Sequence, residues 1–384
     1  MKFLKSLLKW VVVMFAILIA VLYITDTDYL LKAVRTIYFK GYTTAYLEDY
    51  KEFDNQVVQN AEAQPWPNHK DYNTVTETEA LQKINTENGT IAYVIIKNDS
   101  IWFENYYDGF DANSKTNSFS MAKSYVSALL GKALMEGHIK SLDQPVGDFL
   151  PEFKDGLAAK LTIGDLSSMA SGTNWDEAYY SPLSITTRAY FDDDLDKVIN
   201  GLKVVEEPGQ AYTYSSGDTQ MLAMVLERAT GKKLYNYLSE ALWKPLGSEN
   251  ETLWQVDSEA HDMVKAYCCI ASNAKDFARL GKLYKDYGKW QGKQLLDSAF
   301  VAKSIKPRFP ESPEYGYGMW LKNIGEKAFF MMRGHLGQYV IVEPNDNVII
   351  VRLGHSKGPG DAIATFTPDI FSYIDEAYKM LEKN

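Results

Sequence analysis

Apolar positions are most concentrated at the start of the chain. An uninterrupted run from Trp10 to Ile24 follows Lys2, Lys5 and Lys9. With Leu7 and Leu8 it approaches the ~20 residues that cross a bilayer. Bulky Leu22, Tyr23 and Ile24 lead straight into Thr25 and Asp26, where a cleaved leader would end on small residues. The pattern predicts a transmembrane signal anchor over residues 1–26, with a cleaved signal as the alternative. The lysines place its start on the cytoplasmic side of the cytoplasmic membrane. The rest of the single-pass chain then lies on the extracytoplasmic side, periplasmic or extracellular. Leu31, Val34, Ile37 and Tyr38 recur near helical spacing. Residues 27–70 therefore read as a juxtamembrane helical stalk or linker, closed by the proline-broken string AQPWPNH (63–69). The main domain is assigned to residues 71–384.

Within that domain the period changes. TIAYVIIK (90–97) reads as a strand, Asn98-Asp99-Ser100 as a turn, and 101–107 as the returning strand. From Phe119 to Glu136, Val126, Leu129, Leu130, Ala133 and Leu134 repeat at helical spacing, and Gly137 ends the helix. Residues 161–284 are mostly helices and long loops. Strand signals return at 315–321, 328–333, 338–343 and 347–353, and a last helix covers 368–382. Strands at both ends of the body and helices between them predict an α+β fold. One antiparallel sheet would be assembled from both chain ends and flanked by helices, with a mostly helical lobe inserted. A cleft between the two lobes is the expected place for a small-molecule site.

Composition narrows the chemistry. The 384 residues carry a net charge of −10, which argues against a nucleic-acid partner. The 26 tyrosines and 8 tryptophans fit an aromatic-lined cleft, or a tyrosine-rich surface on an exported protein. Cys268 and Cys269 are adjacent, a spacing that rarely reaches disulfide geometry, so they read as buried small hydrophobes. The five histidines form no ligand pair at helical spacing. Neither a metal nor an organic cofactor is expected, and the oligomeric state is open.

Serine chemistry needs a nucleophile, a base beside it and an oxyanion site. GHSKG (354–358) matches the hydrolase elbow pattern, but Pro359 and Gly360 follow where a helix should begin, and no histidine comes after Ser356. It reads as a loop. S-x-x-K occurs at Ser6–Lys9, Ser120–Lys123 and Ser272–Lys275. Ser6 opens the anchor, and Ser272 reads as the cap of the helix after it. Ser120 stands instead at the start of an apolar helix, after a strand–loop crossing. One helical turn places Lys123 beside it, and burial would let that lysine serve as a base. Downstream, Tyr214-Ser215-Ser216 precedes a helix, and His335-Leu336-Gly337 opens a strand.

The order SxxK, YxS, HxG, together with FSMAKSYVSALLGKALMEGHIKSLDQPVGDFLPEF, LTIGDLSSMASGTNWDE and GHLGQYVIVEP, resembles the serine β-lactamase and penicillin-recognising superfamily. The branch is that of class C β-lactamases and their esterase relatives, and the strings are most similar to 6-aminohexanoate-dimer hydrolases. The resemblance covers roughly residues 76–379. It implies the β-lactamase/transpeptidase-like fold, a catalytic Ser120, Lys123 as base or relay, and Tyr214 sharing the proton. The backbone N–H of Gln338, following His335 and Gly337, would join that of Ser120 in the oxyanion hole. In WDEAYYSP it points to Tyr179 as an aid to amide substrates, with cleft packing as the alternative, and to Trp175 and Ser216 as substrate-binding residues. Ser216 stands where lactamases usually carry Asn, and His335 where they carry Lys. A histidine is mostly neutral at pH 7, which suits linear esters and amides better than β-lactams. The expected function is a membrane-anchored serine hydrolase of small esters or linear amides. The alternatives are a β-lactamase or D-alanyl-D-alanine peptidase-like enzyme acting on β-lactams or cell-wall peptides, or a non-catalytic binding protein on the same fold.

Overall fold

The computed structural model describes residues 2–360 and 366–383. Among them, one helix is long and apolar enough to cross a membrane, Lys2–Ile24. Its 23 residues give a length of about 34 Å against about 30 Å of hydrocarbon, and none of them is buried.

Six strands form the main sheet, in the spatial order Ser100–Tyr106, Thr90–Lys97, Val348–Gly354, Gln338–Glu343, Lys327–Gly334 and Trp320–Ile324. All neighbours are antiparallel. The N-terminal hairpin is thus closed by the C-terminal strands through the Thr90–Lys97 and Val348–Gly354 pair, which is the predicted architecture. The Ile- and Val-rich centre of the sheet is buried on both faces. Phe277 and Leu280, on the helix Ala274–Lys285, pack with Val342 and Val351 on one side. Leu81, Ile370 and Tyr373 pack with Ile95 and Ile350 on the other. Strands covered on both faces read as continuous apolar runs rather than alternating ones.

The inserted lobe centres on two helices, Ala122–Glu136 and Ser216–Thr230. Leu129, Leu130, Val225 and Leu226 are fully buried there. A second sheet, in the order Asn55–Val58, Thr252–Gln255, Ile270–Ser272 and Thr116–Asn117, runs up to the start of the first of these helices.

Several local expectations change. The expected strand at 315–321 begins only at Trp320. A Cβ on Gly316 would collide with the backbone of Ser304, so that stretch is a close-packed turn. The cap of the helix Ala274–Lys285 is Asn273, whose side chain accepts from Asp276 N, while Ser272 belongs to a strand. Cys268 and Cys269 are joined in a disulfide. A left-handed backbone at Cys269, φ 76°, turns the adjacent side chains together, where an extended chain would point them apart.

The segment read as a stalk is helical at Tyr29–Thr36, Tyr38–Lys40 and Asp49–Glu52, and it packs on the body. Lys32 bridges Asp193 at 2.5 Å, and Tyr29 donates to Pro182 O at 3.0 Å. Asn55–Val58 pairs with Thr252–Gln255.

Candidate active site

The strand Thr116–Asn117 delivers the chain to Ser120. Asn117 Oδ1 accepts the N–H of Phe119 at 2.8 Å, and Phe119 sits at φ 46°. That sharp, left-handed turn lifts Ser120 to the cleft at the head of the helix Ala122–Glu136. Lys123 follows one turn later and is almost fully buried, 3% exposed. Its Nζ lies 2.9 Å from Ser120 Oγ and donates to Tyr267 O at 2.8 Å. Desolvation holds its pKa down to about 8, against an upward pull from the Glu177 carboxylate.

Tyr214 borders the same recess as Ser120, and interaction with the Ser120 hydroxyl eases its ionisation. Its ring lies under Lys123, with Nζ 5.1 Å from the ring centroid. Burial, and then Glu177, push its phenol pKa up. Tyr214 is positioned by Ser215, which caps the helix Ser216–Thr230 by accepting from Asp218 N. The three predicted chemical residues therefore converge on one point.

Beside them stands Glu177, which sequence reasoning passed over. Its Oε1 accepts from Trp175 Nε1 at 3.1 Å and from the N–H of Ser216. Burial, and then the Glu177 charge, push the Tyr179 phenol pKa well up. Desolvation pushes the Glu177 carboxyl up, and the charge of Lys123 draws it down. The signal was present in the string Trp175-Asp176-Glu177, but a lone acid in a polar loop carries no periodicity that marks it as inward-facing. Trp175 itself packs behind the wall. Its ring stands 6.3 Å from that of Tyr267, and a Cβ on Gly217 would meet it at 2.5 Å.

The His335-Leu336-Gly337 string forms the turn between two paired strands, with Leu336 at φ 62° and Gly337 at φ 82°. The His335 ring is stacked on Tyr179, centroids 6.1 Å apart, and meets Phe119 edge-on at 5.4 Å. Desolvation, then the nearby Lys357 charge, hold its pKa down to about 4. It is neutral near pH 7. Gln338 is fully buried, with its amide donating to Gly354 O at 2.7 Å. Its backbone pairs with Gly334, where the sheet edge meets the backbone of Ser118 closely enough to exclude a Cβ.

Two cavities meet at Ser120, Tyr179 and His335. One, of about 430 Å³, is lined mainly by apolar and aromatic groups including Phe119, Tyr190, Phe191, Tyr267 and Cys268, with Ser216 among its polar members. The other is a recess of about 40 Å³ bordered by Tyr214, Trp320, Arg333, Tyr339 and Lys357. The aromatic cleft expected from the tyrosine count is present.

The model of the beta-lactamase family matches residues 79–368 of this chain. Among characterised sequences, the chain is 24% identical over 294 residues to a 6-aminohexanoate-dimer hydrolase of Paenarthrobacter ureafaciens, covering 71% of this chain and 74% of that one. It is 24% identical over 183 residues to the protein Flp of Staphylococcus aureus, covering 44% of this chain and 36% of Flp. Among solved structures, a candidate 6-aminohexanoate-dimer hydrolase from Bacillus anthracis superposes with a TM-score of 0.71 at 21% identity, over 87% of this chain and 92% of that one. D-amino acid amidase from Ochrobactrum anthropi gives a TM-score of 0.58 at 16% identity, over 79% and 98%.

Proposed function

This chain belongs to the beta-lactamase family and is a serine hydrolase; from that premise we propose that it cleaves esters or linear amides through an acyl-enzyme on Ser120, while tethered to the cytoplasmic membrane by the helix Lys2–Ile24. The observation that carries the catalytic part is the 2.9 Å contact between Ser120 Oγ and a buried Lys123 Nζ. With a pKa near 8, about a tenth of that amine is neutral at pH 7 and able to take a proton.

In this reading Ser120 attacks the carbonyl carbon while Lys123, with Tyr214, accepts its proton. The backbone N–H groups of Ser120 and Gln338 hold the oxyanion. Tyr214, whose raised pKa keeps it protonated, passes the proton to the departing alcohol or amine. Water then attacks the acyl-enzyme through the same relay and restores Ser120. Tyr179 and Ser216 border the bound acyl group, and Trp175 supports them from behind. A neutral His335 stands where lactamases usually carry Lys, which supports linear substrates over β-lactams.

The test is intact-mass analysis of the full chain after a fluorophosphonate probe. Wild type should gain one adduct and Ser120→Ala none, with ester turnover lost in the same variant. Full labelling or turnover by a folded Ser120→Ala protein would overturn the assignment. A panel of an aryl ester, a linear amide and a chromogenic cephalosporin then ranks the substrates, with the cephalosporin expected last.

A further inference from the structure

The larger cavity is built in part by residues that precede the family-matched region. Leu30, Ala33, Val34 and Ile37 come from the helix Tyr29–Thr36 and its C-cap, and Thr44 and Ala45 from the chain just after it. That helix begins five residues after the apolar helix Lys2–Ile24 ends, and it spans only about 12 Å. The junction is clamped. Asp26 pairs with Arg188 and, at 2.7 Å, with Lys197. Arg188 lies on the helix Ile185–Phe191, which packs on the helix Tyr29–Thr36 and whose Thr186, Thr187, Tyr190 and Phe191 also line the cavity. One cavity wall and the foot of the apolar helix are therefore joined by ion pairs.

The mouth is apolar on the outside as well. Val34, Tyr38 and Tyr180 line the cavity yet stand exposed, Tyr180 by 73%. Phe39, 80% exposed, and Leu183, 70% exposed, flank them. Exposed apolar side chains gathered at a cavity mouth mark a surface that meets something apolar, and aromatic residues beside a membrane helix favour the interface. The two cavities also divide the substrate. Tyr214, the proton donor to the leaving group, borders only the small recess, which carries the cationic Arg333 and Lys357 side chains. The apolar cavity lies on the other side of Ser120.

We propose that the substrate is a membrane-resident amphiphile: a long-chain fatty acyl ester or amide whose chain enters the 430 Å³ cavity from the bilayer surface and whose polar head leaves through the recess beside Tyr214. This rests on the serine-hydrolase reading and on the membrane tether proposed with it. A bond forms between Ser120 Oγ and the acyl carbon, the bond from that carbon to the head-group oxygen or nitrogen breaks, and the serine proton moves through Lys123 and Tyr214 onto the head group. Water then gives its hydroxyl to the acyl carbon and a proton back to Ser120, releasing a fatty acid.

The full chain is placed in phosphatidylcholine vesicles and given p-nitrophenyl acetate, hexanoate and laurate. Each methylene taken into an apolar cavity favours binding, so kcat/KM should rise by at least about tenfold from acetate to laurate. Ala33→Phe, which fills the cavity, should lower the laurate-to-acetate ratio by about tenfold. The exposed pair Phe39→Ser with Leu183→Ser should lower the same ratio, with an unchanged melting temperature showing that the fold is kept. A flat or falling profile from an enzyme that turns over acetate, and that takes up the fluorophosphonate in a separate sample, would overturn this inference alone. So would a laurate ratio unmoved by the rim pair, which would remove the membrane as the source. Absence of both fluorophosphonate labelling and acetate turnover would overturn the hydrolase reading with it.

Discussion

A lysine beside a serine is a base only while neutral, and the Lys123 pKa near 8 determines when that holds. Activity should fall as pH drops below about 8, approaching a tenfold loss in kcat/KM per unit. His335, already neutral above about 4, adds no step in that range. Glu177 raises the Lys123 pKa by its charge. Removing that charge in Glu177→Gln should therefore move the acid limb to lower pH, and a shift to higher pH would contradict the assignment. Tyr214→Phe should cost about 10²–10⁴ in turnover, the usual yield of a placed proton donor. At this scale the sequence was readable where a motif fixed the spacing: Ser120, Lys123 and Tyr214 meet as expected. Glu177 was not readable, because its role comes from contacts to Trp175 Nε1 and Ser216 N that only the folded loop creates. The pairing of Cys268 with Cys269 escaped for a related reason, since it depends on a positive φ that no residue type there announces.

Among the elements, the strands of the main sheet were legible because burial on both faces gives unbroken Ile and Val runs. The stretch 315–321 misled because its aromatic content mimics a strand, while Gly316 is held as a turn against Ser304. Elements also fix the site through close approach. Gly334 ends its strand against the Ser118 backbone, so Gly334→Ala must push the strand end away from the turn that carries Ser120. Overpacking of this kind costs about 1–3 kcal/mol. Turnover should fall along with the melting temperature, and a Gly334→Ala enzyme with wild-type kcat would show that the contact does not position Ser120. Gly217→Ala tests the same idea under Trp175, where the added methyl meets the ring at 2.5 Å. It should destabilise without shifting the pH profile.

On the scale of the whole molecule, both chain ends contribute to one sheet, and residues before the family-matched region pack on the body that carries Ser120. Asp49, fully buried, accepts from Asn117 Nδ2 at 2.9 Å and from Tyr190 OH at 2.6 Å. Asn117 in turn holds the Phe119 N–H at the nucleophile turn. Desolvation pushes the Asp49 carboxyl up to about 6. A chain starting at Asp28 should keep its thermal stability. One starting at Asp71 loses Asp49 and the strand Asn55–Val58, and should melt earlier and label more slowly with fluorophosphonate. Equal melting and labelling of the two would show that the segment is dispensable. The proline-broken string at 63–69 suggested a boundary, but a local break in helical pattern does not reveal that the chain on its far side pairs with Thr252–Gln255.

The clamp of Asp26 by Arg188 and Lys197 has a consequence for encounter. With the apolar helix in a bilayer, so short a junction keeps the cleft close to the membrane surface. The enzyme would then search in two dimensions. Its speed would follow the mole fraction of substrate in the leaflet rather than the concentration in the surrounding fluid, and diluting the sample would leave the rate per vesicle unchanged.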